Sequence, residues 1–157
     1  MIFTTKAEYG VRLLVELGRQ GRDAPVSLKA ISEAEGLPLA YLERIVALLR
    51  KAELVESTRG AHGGYRLARS ADDIRMDEAI LALEGSVAPM TCFVDDRSET
   101  GHSVLCSHEA DQGHGCATKL LWTRVQGGVF KALQQTTLAD LVAFSNKTTP
   151  TRDLLHA

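Results

Sequence analysis

Apolar positions over the first fifty residues recur at helical spacing. Ala7, Val11, Leu14 and Leu17 predict a helix over 4–20, with Thr4 or Thr5 as its N-cap and Gly21 past its end. A turn at Pro25 precedes a shorter helix from Ser27, with Leu28, Ile31 and Ala34 inward and Gly36 as its stop. Pro38 opens a third helix running to about residue 52. Only Gly36-Leu37-Pro38 separates the second helix from the third, the tight glycine-containing link that a helix-turn-helix requires. The period then shortens. Residues 54–58 alternate like a strand, 59–64 form a glycine-rich turn, and Tyr65-Arg66-Leu67 return as a second strand. A fourth helix from Met76, with Ile80 and Leu83 inward, stops at Gly85. A long helix follows over 117–134, with Leu121, Val125 and Val129 on one stripe and Trp122, Phe130 and Leu133 beside it. That arc is wider than one neighbour covers, which predicts packing on another chain. Thr137 and Asp140 form a capping-box-like start to a last helix through Phe144, and the polar tail from Asn146 is expected to fray.

The third helix has two unlike faces. Leu42, Ile45, Val46 and Leu49 are apolar, while Ala40, Arg44, Ala47 and Lys51 lie opposite, flanked by Tyr41 and Glu43. Small residues let a helix sit deep in a groove, and Arg, Glu and Tyr reach base edges or phosphates. Any amphipathic surface helix would share this pattern. The glycine-tipped hairpin after it is what distinguishes a winged helix. Its glycines permit close backbone approach, and Arg59, His62 and Gly63 suit a minor groove or phosphates. Lys29 on the second helix adds a further candidate phosphate contact.

Charge sharpens this picture. The chain of 157 residues carries a net −2, divided into +2 over 1–76 and −4 over 77–157. Residues 44–69 hold six basic residues, Arg44, Arg50, Lys51, Arg59, Arg66 and Arg69, against Glu53 and Glu56. A local basic patch on an acidic chain points to an anionic partner for that patch alone. A hydrophobic fraction of 45% excludes general disorder. No apolar run approaches a membrane span, and no export signal is evident, so a cytoplasmic location is expected.

All three cysteines, Cys92, Cys106 and Cys116, lie in or at the edges of a polar stretch over 93–115 that also carries five acids, three glycines, His102, His108 and His114. Thiols gathered there, beside Gly, Ser, Asp and His, are candidate ligands for a soft metal or an iron–sulfur cluster. Zinc would complete its shell with one of those histidines. A Cys–His nucleophile pair lacks any evident rigid support or oxyanion donors, so an enzyme is not expected.

Taken in order, these elements resemble the IscR/NsrR/RirA-type family of bacterial winged-helix regulators. The residues that carry the resemblance are Thr5-Lys6-Ala7-Glu8-Tyr9-Gly10-Val11-Arg12, Leu39-Ala40-Tyr41-Leu42-Glu43-Arg44-Ile45 after Gly36-Leu37-Pro38, and the wing Arg59-Gly60-Ala61-His62-Gly63-Gly64-Tyr65. Cys116 six residues before Trp122 and Thr137-Leu138-Ala139-Asp140-Leu141 complete it. The resemblance implies a homodimer with crossing C-terminal helices, a near-palindromic duplex operator, and a 2Fe–2S or 4Fe–4S cluster on the three cysteines. It also implies a fourth ligand from the partner subunit's Glu8. Two departures stand out: the cysteines are more widely spaced than in cluster-bearing relatives, and Lys119 occupies a position where one branch has a histidine ligand.

The expected fold is mainly α with a small β wing. A winged helix-turn-helix with its linker helix spans 1–85, a cysteine-containing loop 86–116, a dimerisation helix and short C-terminal helix 117–145, and a polar tail 146–157. The expected function is DNA-binding transcription regulation under cluster control. Alternatives are the same dimer with a zinc or bare-thiol switch, and a winged-helix protein-interaction module that binds no DNA.

Overall fold

The computed structural model describes residues 3–21, 24–60, 62–85 and 117–147. The stretch 86–116, with Cys92, Cys106, Cys116, His102, His108 and His114, lies outside the described residues, as do 148–157. The described elements are α1 (Thr5–Gln20), α2 (Leu28–Glu35), α3 (Leu39–Lys51), β1 (Val55–Thr58), β2 (Gly64–Leu67), a 3-10 turn (Ala71–Asp73), α4 (Met76–Glu84), α5 (Ala117–Gln135) and α6 (Leu138–Ser145). The protein is mainly helical with a small antiparallel wing, as expected.

Local chemistry sets the boundaries. The Thr4 hydroxyl caps α1 by accepting from the Lys6 N–H, and the Ser27 hydroxyl caps α2 by accepting from the Ala30 N–H. Gly36 ends α2 at φ 64°, a left-handed conformation that glycine adopts without the Cβ penalty. Thr137 and Asp140 form a reciprocal capping box at α6: the Thr137 N–H donates to the Asp140 carboxylate at 2.8 Å, and the Asp140 N–H donates back to the Thr137 hydroxyl at 3.2 Å. The bond from the Thr137 backbone, then that from its hydroxyl, hold the Asp140 carboxyl below its ordinary range.

The core lies under α1. Leu13, Leu14, Leu17, Ile31, Leu42, Ile45, Leu49, Leu54, Leu67, Ile74, Leu83 and Leu138 are completely buried. At about 1.5–3 kcal/mol for each large side chain removed from water, they dominate the driving force for folding. Helix α1 packs on α3, α4 and α6, so the last helix closes the same core as the helix-turn-helix. The link is backbone as well as apolar. The Leu138 N–H donates to the Ile74 carbonyl at 2.8 Å, and the Met76 N–H donates to the Thr136 carbonyl at 3.0 Å. One expectation on α2 is corrected: Ala34 faces solvent, because eight residues present only Leu28 and Ile31 to the core.

Between α3 and β1 the chain turns through Glu53, whose φ is 57°. The turn is closed by the Glu53 N–H on the Arg50 carbonyl and the Leu54 N–H on the Leu49 carbonyl, both at 3.0 Å. Any residue that carries a Cβ is strained there. Glu53→Gly is expected to stabilise the fold by about 0.5–1 kcal/mol, read as a higher denaturant midpoint with unchanged slope.

Candidate nucleic-acid interface

Helices α2 and α3 meet at a turn held from three sides. Gly36 reverses the chain, the Ser32 hydroxyl donates to the Leu37 carbonyl at 2.5 Å, and Arg12 reaches across from α1. The Arg12 Nε donates to the Glu35 carboxylate at 2.9 Å, and its terminal nitrogen donates to the Glu35 carbonyl. A cation at the carbonyl end of a helix satisfies orphan acceptors and opposes the macrodipole. Arg12 thereby sets the position from which α3 projects. Its sequence spacing alone says nothing of this, since Glu35 is 23 residues away.

The outward face of α3 carries Ala40, Glu43, Arg44, Ala47 and Lys51, all exposed, with Tyr41 half-buried at its flank. The Tyr41 ring meets Tyr9 of α1 edge to face, with centroids 5.6 Å apart and planes at 85°. Lys29 is exposed on α2, its Nζ 3.9 Å from Glu33 on the same helix.

Strands β1 and β2 pair from Val55↔Leu67 to Thr58↔Gly64 and project Arg59 and His62, both exposed, at the tip. A third short segment, invisible in the alternation pattern, completes the wing. Val26 and Tyr65 exchange two backbone hydrogen bonds, each 2.8 Å, and tie the wing to the residue just before the α2 cap. Two glycines are demanded by this arrangement. A Cβ on Gly64 would stand 2.5 Å from the Val26 oxygen, and one on Gly63 would strike the Thr58 oxygen. Gly63 is therefore a steric requirement of the turn, independent of any DNA contact.

The structure also divides the basic patch. Arg66 pairs with Glu56 at 2.6 Å and Arg69 with Glu78 at 2.5 Å. By contrast Arg44, Arg50, Lys51 and Arg59 make no ion pair with any described residue. The cations left open lie on α3 and the wing, where a polyanion would meet them.

A second feature sits at the edge formed by α1 and α4. Glu8 is largely exposed, and its only described ion pair is a weak 3.9 Å contact with Arg12. It lines a groove with Phe3, Ala7, Val11 and Ile80. One turn earlier, the Thr4 N–H and hydroxyl donate to the Glu84 carboxylate at 3.0 and 2.6 Å. Burial pushes the Glu84 carboxyl up, but those two bonds and nearby Lys6 outweigh it and hold it below its ordinary range. The end of α4, where the chain departs toward the cysteines, is thus fastened to the start of the helix that bears Glu8. Among the described residues no group of three or more His, Cys, Asp or Glu side chains is placed to hold a metal.

Helix α5 is half-buried on one side and exposed elsewhere, among the described residues. None of its described residues is buried, and Leu120 and Leu121 are 58% and 56% exposed. Val129, Phe130 and Leu133 instead pack against Ala7 and Ile80 of the same chain. The wide apolar arc is therefore shared: its C-terminal part is covered by α1 and α4, and its N-terminal part is not. Among the described residues no helix is long and apolar enough to cross a membrane.

A helix-turn-helix with an open cationic face, followed by a basic wing, defines a winged-helix DNA-binding transcription regulator. Comparison with known proteins agrees and is more specific. The chain belongs to the Rrf2 family, described as an iron-dependent transcriptional regulator, whose model matches residues 3–144. It is 37% identical to protein rrf2 of Nitratidesulfovibrio vulgaris over 142 residues, covering 90% of this chain and 87% of the relative. Among solved structures it resembles CymR, the global cysteine regulator of B. subtilis, at 34% identity and TM-score 0.73, covering 92% of this chain and 98% of that one. It also resembles T. potens IscR at 31% identity and TM-score 0.72, covering 100% and 97%. These relatives are regulators, and the protein is not an enzyme.

Proposed function

We propose that the protein acts in the cytoplasm as a homodimer on a near-palindromic operator, with its affinity governed by an iron–sulfur cluster on Cys92, Cys106, Cys116 and the partner subunit's Glu8. The observation that carries the sensor half is Glu8: an exposed carboxylate with one weak ion pair among the described residues, on the helix fastened to the end of α4. Three thiols and a carboxylate are a donor set suited to iron in a sulfur-rich site, with the harder oxygen the labile position. Cys92, Cys106, Cys116 and the partner subunit's Glu8 would hold the cluster, which would supply redox-sensitive chemistry there. Arg12 would then keep only Glu35, and α1 would hold the α2–α3 turn at a spacing matched to the operator half-sites.

On DNA, Glu43 accepts from a cytosine amino group and Arg59 enters a narrow minor groove. Lys29, Tyr41, Arg44, Lys51 and His62 fix register on the backbone, while Gly63 lets the wing approach closely. Arg59→Ala should weaken operator binding and lower the slope of log K against log salt by about one. Glu43→Ala should relax preference at one base pair across a panel of operator variants. Unchanged preference would remove Glu43 from direct readout.

The test of the sensor is protein purified without oxygen. A visible absorption band with bound iron and sulfide is expected, and each of Cys92→Ala, Cys106→Ala and Cys116→Ala should abolish it. Glu8→Ala should leave a cluster whose redox cycling is altered. Operator affinity of cluster-bearing and cluster-free protein, at one salt concentration, should differ. Equal affinities would mean that the cysteines do not control DNA binding. Likeness to a cysteine regulator supports a second reading, the same dimer with a zinc or bare-thiol switch. Colourless protein that keeps zinc, or that responds only to thiol oxidation, would favour it.

A further inference from the structure

A groove of about 520 Å³ runs beside the start of α3, lined by Thr5 and Tyr9 of α1 and by Pro38, Ala40, Tyr41 and Arg44. Its walls are two tyrosine rings, a proline and an alanine; hydroxyls and a guanidinium supply its polar groups. None of the six residues is acidic. Arg44 makes no ion pair with a described residue, and the side-chain hydroxyls of Thr5, Tyr9 and Tyr41 bond to none. No buried side-chain polar atom among the described residues lacks a partner, so these hydroxyls are open to water. The Tyr9 and Tyr41 rings meet edge to face beside this groove.

A nucleic-acid strand has the matching character: an apolar sugar, then an anionic phosphate, repeated. We propose that this groove seats the sugar–phosphate backbone of one operator strand at the edge of the major groove, which makes α1 a DNA-contacting element alongside α3 and the wing. Deoxyribose packs on the tyrosine rings and Pro38. The phosphate takes hydrogen bonds from the Thr5 and Tyr9 hydroxyls and the charge of Arg44. Because Ala40, Tyr41 and Arg44 also belong to the outward face of α3, a strand held here fixes the angle at which that helix enters. The inference rests on the reading that this face meets the operator.

The test uses 30-base-pair duplexes enriched from a random library by the wild-type protein, with affinity from fluorescence anisotropy. Tyr9→Phe keeps the ring and removes only the donor. It should weaken binding to every enriched duplex by about three- to tenfold, the usual range for one lost hydrogen bond, without reordering them. Thr5→Asp adds an anion in the first turn of α1, where an acid suits the helix dipole, so folding is retained and thermal melting confirms it. It should weaken binding more than about tenfold, again uniformly. Ethylation interference should lose the same phosphate position in both variants. Wild-type affinity in both variants, or a changed base preference in either, would overturn the proposal while Arg59→Ala still behaved as expected. A wild-type protein that enriches no sequence would overturn the underlying reading and this inference with it.

Discussion

Leu121→Glu should convert the protein to folded monomers and lower operator affinity by at least about a hundredfold. Among the described residues, α1 and α4 cover α5 only toward its C-terminal end. Val129, Phe130 and Leu133 are occupied against Ala7 and Ile80, whereas Leu121 is more than half exposed, with Val125 one turn further on. An apolar surface of that kind on a 19-residue helix with no buried residue calls for a second chain. A glutamate there would place a charge in the proposed dimer contact and leave the described core of one chain intact. A monomer grips a single half-site, so the avidity of two linked half-sites, about a hundredfold or more, is lost. Sedimentation velocity and operator titration at the same concentration check both parts. Wild-type protein that is monomeric at micromolar concentration would contradict the dimer directly. Phe130→Glu should fail differently, by destabilising the packing of α5 on α4.

Gly64→Ala is expected to cost about 3 kcal/mol and to weaken operator binding more than about tenfold, though the added methyl removes no DNA contact. Its Cβ would sit 2.5 Å from the Val26 oxygen, 2.6 Å from the Val26 carbon and 3.0 Å from the Ser27 nitrogen. All three are backbone atoms, so no side chain can swing aside. The two Val26–Tyr65 hydrogen bonds must break or stretch, and the strain reaches the residue that caps α2. The wing would then detach from α2 while keeping its own β1–β2 ladder. Denaturant titration gives the stability. Hydrogen exchange should show faster exchange at the Val26 and Tyr65 amides, with the core amides of α1 changed only in proportion to global stability. Unaltered exchange at those two amides would show that the wing adapts.

Much of this was legible in the sequence. Helix positions over α1 to α4, the capping box at Thr137 and Asp140, and the hairpin after α3 all depend on residues within a few positions of one another. Their chemistry is local: 3.6-residue spacing, a hydroxyl beside a free N–H, glycine where φ is positive. The candidate DNA-reading residues were legible for the same reason, since the two faces of α3 follow from 100° per residue.

What only the tertiary structure decided concerns pairs far apart in the chain. The sequence counts six cations over 44–69, but only folding brings Arg69 to Glu78 and Arg66 to Glu56 and leaves Arg44, Arg50, Lys51 and Arg59 without an ion pair among the described residues. Arg12 reads as one more polar helix residue until α1 lies across the end of α2. Val26 shows no alternation, because one residue pair is too short to carry a period. Tyr9 and Thr5 come to line one groove with Ala40, Tyr41 and Arg44 only because α1 crosses beside the start of α3. The apolar arc of α5 was visible as an arc, but which part of it α1 and α4 cover was not. Periodicity records which side of a helix avoids water; packing alone determines what covers it.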